Sequence, residues 1–359
     1  MVHALIDAVK PDYIQCDCKG CPGLSSYPTK VGNPALGIVK DGLRVWREVT
    51  AANGFALVMH YCGLWDERAA ELHPSWARVD AEGNKSPGFL SFFSPYVDEL
   101  LIPQLKELAL EYGVDGVWVD ADCWVAAYDY SEWAAASYRE KTGRDILPKS
   151  KDDPNFHEFT EFCREGYRKY QRHYVNALHE ARPDFEICCN WAFTSFMPEP
   201  VCAGVDFLSG DYTHQDSINT ARFEGRCLTR QGKPWDLMAW GFSGEFPGDA
   251  VFSMKSTVQL MQEAAQVIAL GGGFQIYLGQ KGDGSINLWQ LDTLRQVAEF
   301  VRARQEFCHR AVTVPQIALL NSGSYFYAKS ERLFPFWEEV ALTIERLEIH
   351  CMIVFDFPT

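Results

Sequence analysis

Seven short apolar segments, each of a length typical of one buried β-strand, alternate along the chain with amphipathic stretches of helical period. The strand segments are Tyr13–Cys18, Phe55–His60, Gly116–Asp120, Phe185–Asn190, Val205–Ser209, Trp235–Trp240 and Gly273–Leu278. The clearest helical stretches are Glu99–Tyr112, Phe159–Ala181 and Thr257–Ala269. Strands that alternate with helices form parallel units, and strands that are apolar on both faces lie in a sheet covered by helices. The pattern therefore predicts an α/β protein with a parallel sheet.

Two architectures fit this alternation: a (β/α)8 (TIM)-type barrel that lacks its first strand, and a doubly wound open sheet. Polar and aromatic residues cluster after the C-terminal ends of the strands, which is the face where barrel enzymes build their active sites. No Gly-x-Gly-x-x-Gly motif follows the first strand, so a dinucleotide site has no support. We therefore expect a (β/α) barrel catalytic domain over residues 1–310.

The pattern changes after residue 310. Pro315–Asn321 and His350–Phe355 each have the composition of a strand, and Phe336–Leu347 between them has the period of a helix. These elements predict a partial βαβ segment of a second, open-sheet domain over residues 311–359, with too few residues to close its own layers.

Composition excludes some partners. The chain has 48 acidic and 33 basic side chains, a net charge of −15, which disfavours nucleic acid and anionic membranes. No apolar run is long enough to span a membrane, and the start lacks the pattern of a signal peptide. Half of the 12 cysteines lie in apolar segments, where Cys is typically a small buried hydrophobic residue, so a cytoplasmic, reducing location is predicted. These six are Cys16, Cys18, Cys62, Cys123, Cys188 and Cys189.

The segment with the most specific chemistry ends in two carboxylates, Asp120 and Asp122. Alternation along a strand would place both on one side, opposite Val117 and Val119. A carboxylate held rigidly at a strand end between apolar walls can serve as a nucleophile, and we assign that role to Asp120. Asp122 has an equally good interpretation as the cap of a following helix.

Asp115-Gly-Val-Trp-Val-Asp120 resembles the nucleophile strand of the retaining α-L-fucosidases of glycoside hydrolase family 29, whose pattern is Asp-Gly-Ile-Trp-Phe-Asp. The upstream segment Ser94–Lys106 resembles the related group called hypothetical glycosyl hydrolase 6. The resemblance covers most of residues 10–300. It implies a barrel enzyme that cleaves an α-L-fucoside-like or galactoside-like O-glycosidic bond by double displacement, without a cofactor. Residues 315–359 resemble the start of the flavodoxin-like trimerisation domain of β-galactosidases.

A retaining glycosidase needs a second carboxyl group about 5–5.5 Å from the nucleophile, to protonate the leaving oxygen. Asp211 and Glu245 follow later strands, and we rank Asp211 first. A turn-stabilising role is the alternative for Asp211. Asp122 shares the strand of Asp120 and is the poorest candidate for an opposed acid.

A sugar also needs hydrogen-bonding groups and flat apolar surfaces around these carboxylates. Side chains at or after the strand ends provide candidates for substrate binding. They are Asp17, Lys19, His60, Tyr61, Trp65, Asp122, Trp124, Asn190, Trp191, His214, Trp240 and Tyr277.

Two rival functions remain open at the level of sequence. A non-catalytic carbohydrate-binding protein derived from a glycosidase would keep the aromatic cleft. A metal-dependent hydrolase would use zinc at Cys16, Cys18 and Cys21, with His60 or Cys62 as the fourth ligand. The sequence favours the glycosidase without metal. A barrel that lacks one strand leaves two unpaired strand edges, so we also expect a homo-oligomer.

Overall fold

The structure is a computed structural model. It describes residues 2–190, 200–212, 216–244, 251–281, 285–314, 317–321 and 351–355. Within these ranges it does not describe the side chain of Trp124 or those of most residues after 314.

All seven predicted strands are present, with ends that shift by up to three residues. In chain order the strands are β1 (Tyr13–Lys19), β2 (Leu24–Ser25), β3 (Asn33–Pro34), β4 (Ala56–Cys62), β5 (Ala77–Val79), β6 (Lys85–Leu90), β7 (Gly116–Asp120), β8 (Glu186–Cys189), β9 (Leu208–Asp211), β10 (Trp235–Trp240), β11 (Gly273–Tyr277), β12 (Ile317–Asn321) and β13 (Cys351–Phe355). The strand predicted at Val205–Ser209 begins later and ends at Asp211, so this carboxylate belongs to the strand itself.

The helices lie between these strands as predicted. They are α1 (Val2–Val9), α2 (Gly42–Asn53), α3 (Glu67–Leu72), α4 (Ile102–Glu107), α5 (Asp122–Val125), α6 (Glu132–Thr142), α7 (Phe156–Ala181), α8 (Ser217–Leu228), α9 (Thr257–Ile268), α10 (Gln290–Arg302) and α11 (Gln305–Cys308). Helix α4 is extended at both ends by π-helical turns, Val97–Leu101 and Leu108–Tyr112. None of the described helices has the length and apolar character needed to cross a membrane.

Two parallel sheets carry the strands that matter for the site. The first has the order β3-β2-β1-β4-β7-β8, in which β1, β4, β7 and β8 are parallel neighbours, and the second has the order β11-β10-β9. β5 and β6 form a separate antiparallel pair, and β12 pairs with β13 in parallel.

The structure therefore confirms the predicted α/β class with parallel sheets, but its described residues do not show a single closed barrel. The described backbone forms mixed α/β layers with parallel sheets, and no continuous ladder closes them into a barrel. Side chains bridge the two sheets instead: Tyr13 donates to Asp236 at 2.5 Å, and Gln275 donates to Gln15 at 2.9 Å. The predicted helix Phe336–Leu347 lies outside the described residues.

The two faces of the first sheet bury different groups. Leu57, Val117 and Val119 belong to the large core shared with the helices. Val58, Trp118 and Cys188 form a small cluster on the opposite face, with Tyr13 and Phe207 beside it. Alternation along each strand thus separates a helix-facing side from an inner side, as predicted for Asp120.

The ends of two helices near the site are set by capping residues. Asp66 caps α3 by accepting from the Ala69 N–H at 2.7 Å. The helical segment before β7 ends at Gly113, whose φ of 64° is the left-handed conformation that glycine adopts without strain. Three residues after Gly113 the chain begins β7, the strand that ends in Asp120.

Candidate active site

Three inner-face side chains at the C-terminal ends of adjacent strands meet at one point. His60 follows Val58 by two residues in β4, Asp120 follows Trp118 in β7, and Asn190 follows Cys188 just after β8. Strand pairing brings these ends together, because the neighbouring strands β4, β7 and β8 are parallel and hydrogen-bonded in register. Side-chain alternation along each strand and the parallel pairing of the strands therefore bring His60, Asp120 and Asn190 together.

Asp120 is held by one donor on each carboxylate oxygen. His60 Nε2 lies 3.0 Å from Oδ2, and Asn190 Nδ2 donates to Oδ1 at 2.5 Å. The side chain keeps 24% of its surface exposed, so it is accessible to a ligand. Burial alone would raise the pKa of Asp120, but the hydrogen bond and positive charge of His60, together with hydrogen bonds from the Ala121 N–H and Asn190, outweigh it and hold the pKa below its usual range. The group is a carboxylate at neutral pH.

His60 lies between two carboxylates. Its Nδ1 is 2.5 Å from Asp17 Oδ1, while its ring stacks on Trp118 at 5.3 Å between centroids. Burial favours the neutral ring, but the hydrogen bond with Asp120 and the close negative charges of Asp120 and Asp17 prevail and raise the pKa of His60 to about 10. The ring is therefore an imidazolium at neutral pH.

Asp211 differs from Asp120 in that it is almost fully buried and its pKa is raised rather than lowered. It ends β9, is only 8% exposed, and its Oδ1 has no hydrogen-bond partner among the described residues. Burial and then the negative charge of Asp120 raise the pKa of Asp211 to about 8. A carboxyl group with such a pKa keeps its proton at neutral pH and can donate it.

The aromatic side chains predicted near the carboxylates come from the second sheet. Trp240 and Tyr277 are paired in register at the ends of β10 and β11, and both are half-buried. Phe242 contacts both rings, at 5.6 Å and 5.9 Å between centroids. Burial, and then the charges of Asp17, Asp211 and Asp120, raise the pKa of Tyr277 to about 12. Contacts between the sheets include the Tyr13–Asp236 and Gln275–Gln15 hydrogen bonds and the bond from Trp118 Nε1 to the Ser209 carbonyl.

Lys19 and Tyr61 are not brought to this cluster. Lys19 is 1% exposed, and its ammonium group contacts Asp66 Oδ2 at 2.6 Å and Tyr96 OH at 2.8 Å. Tyr61 is fully buried and donates to Gln104 Oε1 at 2.9 Å. Strand-end position suggested ligand contact for both, but their side chains point to the helix side and stabilise the fold there.

Asp122 is also turned away, which corrects the prediction that it shares the side of Asp120. The strand ends at Asp120, and the chain turns at Ala121 so that Asp122 is fully buried against α7. Trp65 is half-buried after β4 and forms an isolated bridge with Phe89 of β6, on whose ring it packs at 4.9 Å. Glu245, Trp191 and His214 lie outside the described residues, and so does the side chain of Trp124.

The structure adds two features that the sequence analysis missed. Asp17 and His60 are register partners across β1 and β4, and this pairing of two strand-end polar residues could have been found from the strand alignment. Cys21 forms a disulfide with Cys62, joining the segments that follow β1 and β4. Cys62 is buried as predicted, but the expectation that it is a free, reduced thiol is wrong.

The disulfide also bears on the alternative zinc site. Cys21 and Cys62 are bonded to each other rather than available to a metal, and the Cys18 thiol donates to the His60 carbonyl at 3.1 Å. The described residues contain no group of three or more His, Cys, Asp or Glu side chains arranged to hold a metal ion.

Comparison with known proteins gives one family match. The family model described as Alpha-L-fucosidase matches residues 29–306. No curated protein matches the sequence. Among solved structures, the chain is similar to alpha-L-fucosidase isoenzyme 2 from Paenibacillus thiaminolyticus, with 18% identity, a TM-score of 0.72, and coverage of 88% of this chain and 48% of that one.

Two further structures share the fold. Alpha-L-fucosidase isoenzyme 1 from the same organism has 17% identity, a TM-score of 0.52, and coverage of 87% of this chain and 66% of that one. The beta-galactosidase from Rahnella sp. R3 has 13% identity, a TM-score of 0.64, and coverage of 92% and 57%. The chain thus spans between about half and two thirds of the length of these proteins. At such identities the similarity shows the fold alone.

Proposed function

The chain belongs to the alpha-L-fucosidase family, and from that premise we propose that it is a retaining glycoside hydrolase. Asp120 is the nucleophile and Asp211 the general acid/base. The observation that carries this proposal is that the two carboxyl groups differ in protonation state at neutral pH. The pKa of Asp120 is held low, chiefly by His60, and the pKa of Asp211 is raised to about 8. Two carboxyl groups whose pKa values differ in this way fit the two roles that a retaining glycosidase requires, an ionised nucleophile and a protonated acid.

The reaction proceeds in two displacements. Asp120 attacks the anomeric carbon and forms an ester bond to the sugar, while the proton of Asp211 passes to the departing glycosidic oxygen. Water then attacks the same carbon, gives one proton to Asp211, and releases Asp120 as a carboxylate. The two inversions restore the original anomeric configuration. Glu245 is the second candidate for the acid/base role.

His60 acts on both carboxyl groups through its charge. The imidazolium stabilises Asp120 as an anion before attack, and its charge also lowers the pKa of Asp211 somewhat from what burial and Asp120 impose. Asp17 lies at ion-pair distance from Nδ1, and its negative charge stabilises the protonated ring.

For the substrate we propose an α-L-fucoside-like or galactoside-like sugar. The support is the family and the mixed character of the cluster. Asp17, with 45% of its side chain exposed, and His60, with 21%, offer polar contacts at the ends of the first sheet, while Trp240 and Tyr277 offer half-buried ring faces at the ends of the second. Asn190 is buried and acts on the substrate through Asp120. Trp65, which follows β4, is proposed to extend this apolar surface.

We also infer that the two parallel sheets are parts of one incomplete (β/α) barrel over residues 1–310. Two contacts between the first sheet and the β9 segment support this: the Asp206 N–H donates to the Ile187 carbonyl at 2.9 Å, and Trp118 Nε1 donates to the Ser209 carbonyl at 3.3 Å. Residues 311–359 are assigned to a second, open-sheet segment, of which β12 and β13 are the described strands. A homo-oligomer and a cytoplasmic location remain predictions.

The proposal is tested with aryl α-L-fucosides and aryl β-D-galactosides as probes. Proton NMR of the first product formed should show the anomeric configuration of the substrate, and an inverted product would contradict double displacement. Asp120→Asn should remove nearly all turnover on the preferred probe while thermal unfolding stays close to that of the wild type. Asp184→Asn, which changes an 80% exposed carboxylate, is the matched control and should keep wild-type turnover. Asp120→Asn activity within a few fold of wild type would rule out the nucleophile assignment.

A further inference from the structure

The residue that follows Asp120 has an unusual backbone conformation. Ala121 has φ 68° and ψ −5°, in the left-handed region that residues with a β-carbon rarely adopt. The turn changes the chain direction at the end of β7, so its geometry sets where the Asp120 side chain starts. A strained conformation of this kind persists only where surrounding contacts hold it.

Asp122 supplies those contacts from the far side of the turn. Its carboxyl group is fully buried and accepts hydrogen bonds from Tyr170 OH at 3.0 Å and from Gln171 Nε2 at 2.9 Å. Both donors belong to α7, the 26-residue helix behind the sheet. A short turn is therefore tied to the longest helix described in the structure.

Gly63 closes the same turn from the β4 side. Its N–H donates to the Asp120 carbonyl at 3.0 Å. A β-carbon at this position would lie 2.7 Å from Asp122 Oδ1 and 2.9 Å from Val119 Cγ1, so there is no room for one. The segment after β4, the end of β7 and α7 are packed in contact around the two aspartates.

The cluster around Asp122 also fits a neutral acid. Gln171 Nε2 contacts both Asp122 and the Tyr167 hydroxyl, at 2.9 Å and 3.0 Å, while Gln171 Oε1 has no hydrogen-bond partner among the described residues. Turning the amide over would let its carbonyl accept from a protonated Asp122 and from Tyr167. Burial raises the pKa of Asp122 well above its usual range, in the same direction. A neutral group here avoids a second negative charge beside Asp120.

We propose that Asp122 is a positioning residue: its buried carboxyl group ties the left-handed turn at Ala121 to α7 and thereby fixes the direction in which Asp120 presents its carboxylate. This inference rests on the proposed function of Asp120. In this proposal Asp122 affects catalysis by orienting Asp120 and does not contact the sugar.

The role predicts a specific kinetic pattern. In Asp122→Ala the turn loses its anchor, and kcat should fall by about 100-fold, the size expected when a reacting group is misplaced by roughly 1 Å. KM should stay within about twofold, because Asp122 does not contact the substrate. The conservative Asp122→Asn keeps a neutral hydrogen-bonding group of the same shape and should retain kcat within a few fold.

The matched control is Asp129→Ala. Asp129 is also fully buried and accepts from the Ser131 N–H at 2.9 Å and the Ser131 hydroxyl at 3.1 Å, so it supports the residue that caps α6 rather than the cluster. This variant should lose stability without losing kcat per folded molecule. An equal loss of kcat in Asp129→Ala and Asp122→Ala would overturn the proposal, as would wild-type kcat in Asp122→Ala.

A second readout does not depend on turnover. Nitrogen-15 NMR of the imidazole at pH 9 reports whether His60 is protonated, which depends on Asp120 lying within reach of Nε2. In the wild type and Asp122→Asn the imidazolium should dominate, whereas in Asp122→Ala the neutral ring should appear. An unchanged His60 spectrum in Asp122→Ala would overturn the proposal.

The two readouts separate the proposals from each other. If the wild type cleaves no glycoside but His60 responds to Asp122→Ala, the proposed function fails and the structural link stands. If Asp122→Ala does not fold, Gln171→Leu removes the anchor from the α7 side, and the same fall in kcat with unchanged KM is expected. Unchanged kcat in a folded Gln171→Leu would then overturn the proposal.

Discussion

His60 Nε2 lies 3.0 Å from Asp120 Oδ2, and this contact joins the ends of two adjacent parallel strands into one charged pair. The same ring is held on its other nitrogen by Asp17, so His60 is protonated where an isolated histidine would be neutral. The charge state of the candidate nucleophile thus depends on a residue 60 positions earlier in the chain.

The first prediction concerns the acid limb of the pH profile. His60→Phe keeps a ring that can stack on Trp118 but removes the positive charge, so the pKa of Asp120 rises. Because Asp120 must be deprotonated to attack, the acid limb of kcat/KM should move to higher pH. Loss of a hydrogen bond to a charged group should also lower kcat/KM at its optimum by about 10- to 100-fold. An acid limb that stays in place in a folded variant would contradict the role of His60.

The second prediction concerns the alkaline limb. Asp211 must be protonated to donate, so wild-type kcat/KM should fall as the pH rises through about 8. In Asp211→Asn this limb should disappear, and kcat should fall by about 100- to 10,000-fold on substrates with poor leaving groups. Aryl substrates with good leaving groups need less protonation and should lose less. Retention of the limb in Asp211→Asn would transfer the acid/base role to another residue, with Glu245 the next to test.

The third prediction concerns the buried ion pair of Lys19 and Asp66. Burial lowers the pKa of Lys19, yet Asp66 and Tyr96 surround its ammonium group closely. Lys19→Met leaves Asp66 buried without its cation and should lower the free energy of unfolding by about 3–5 kcal/mol. The double variant Lys19→Met/Asp66→Asn should recover part of this loss. Urea unfolding measures both, and a loss under about 1 kcal/mol in Lys19→Met would show that the pair is not buried as described.

The fourth prediction concerns the disulfide between Cys21 and Cys62, which are 41 residues apart. Closing a loop of this length restricts the unfolded chain, so Cys21→Ala/Cys62→Ala should lower the free energy of unfolding by about 4 kcal/mol in the loop-entropy account. Reduction of the wild type should have the same effect, and reduction of the double variant should have none. Thiol titration under denaturing, non-reducing conditions should find two fewer free thiols than after reduction. Equal counts would contradict the bond.

Local pattern was sufficient to predict the strands and the inner position of Asp120. The seven strand segments are apolar on both faces, and the alternation of Val117, Trp118 and Val119 fixes which side Asp120 takes once the valines are assigned to the helices. These properties depend on neighbours one or two residues away, so the sequence carries them directly.

The errors arose where a side chain depends on a distant partner. Asp122 leaves the strand because the chain turns at Ala121, and its donor Tyr170 is 48 residues away. Lys19 was expected at the ligand side, but its partner Asp66 lies on another element. Closure of a barrel likewise depends on pairing between the first and last strands, which no local periodicity encodes.

The identity of the nucleophile is tested most directly by trapping the covalent intermediate. A 2-deoxy-2-fluoro glycosyl fluoride of the preferred sugar slows the second displacement, so the ester with the enzyme accumulates. Peptide mass mapping after proteolysis should then locate one sugar on the peptide that contains Asp120, and fragmentation should place it on that residue. Asp120→Asn should take up no label. A label on any other carboxylate, or the release of product with inverted configuration and no trapped ester, would contradict the account.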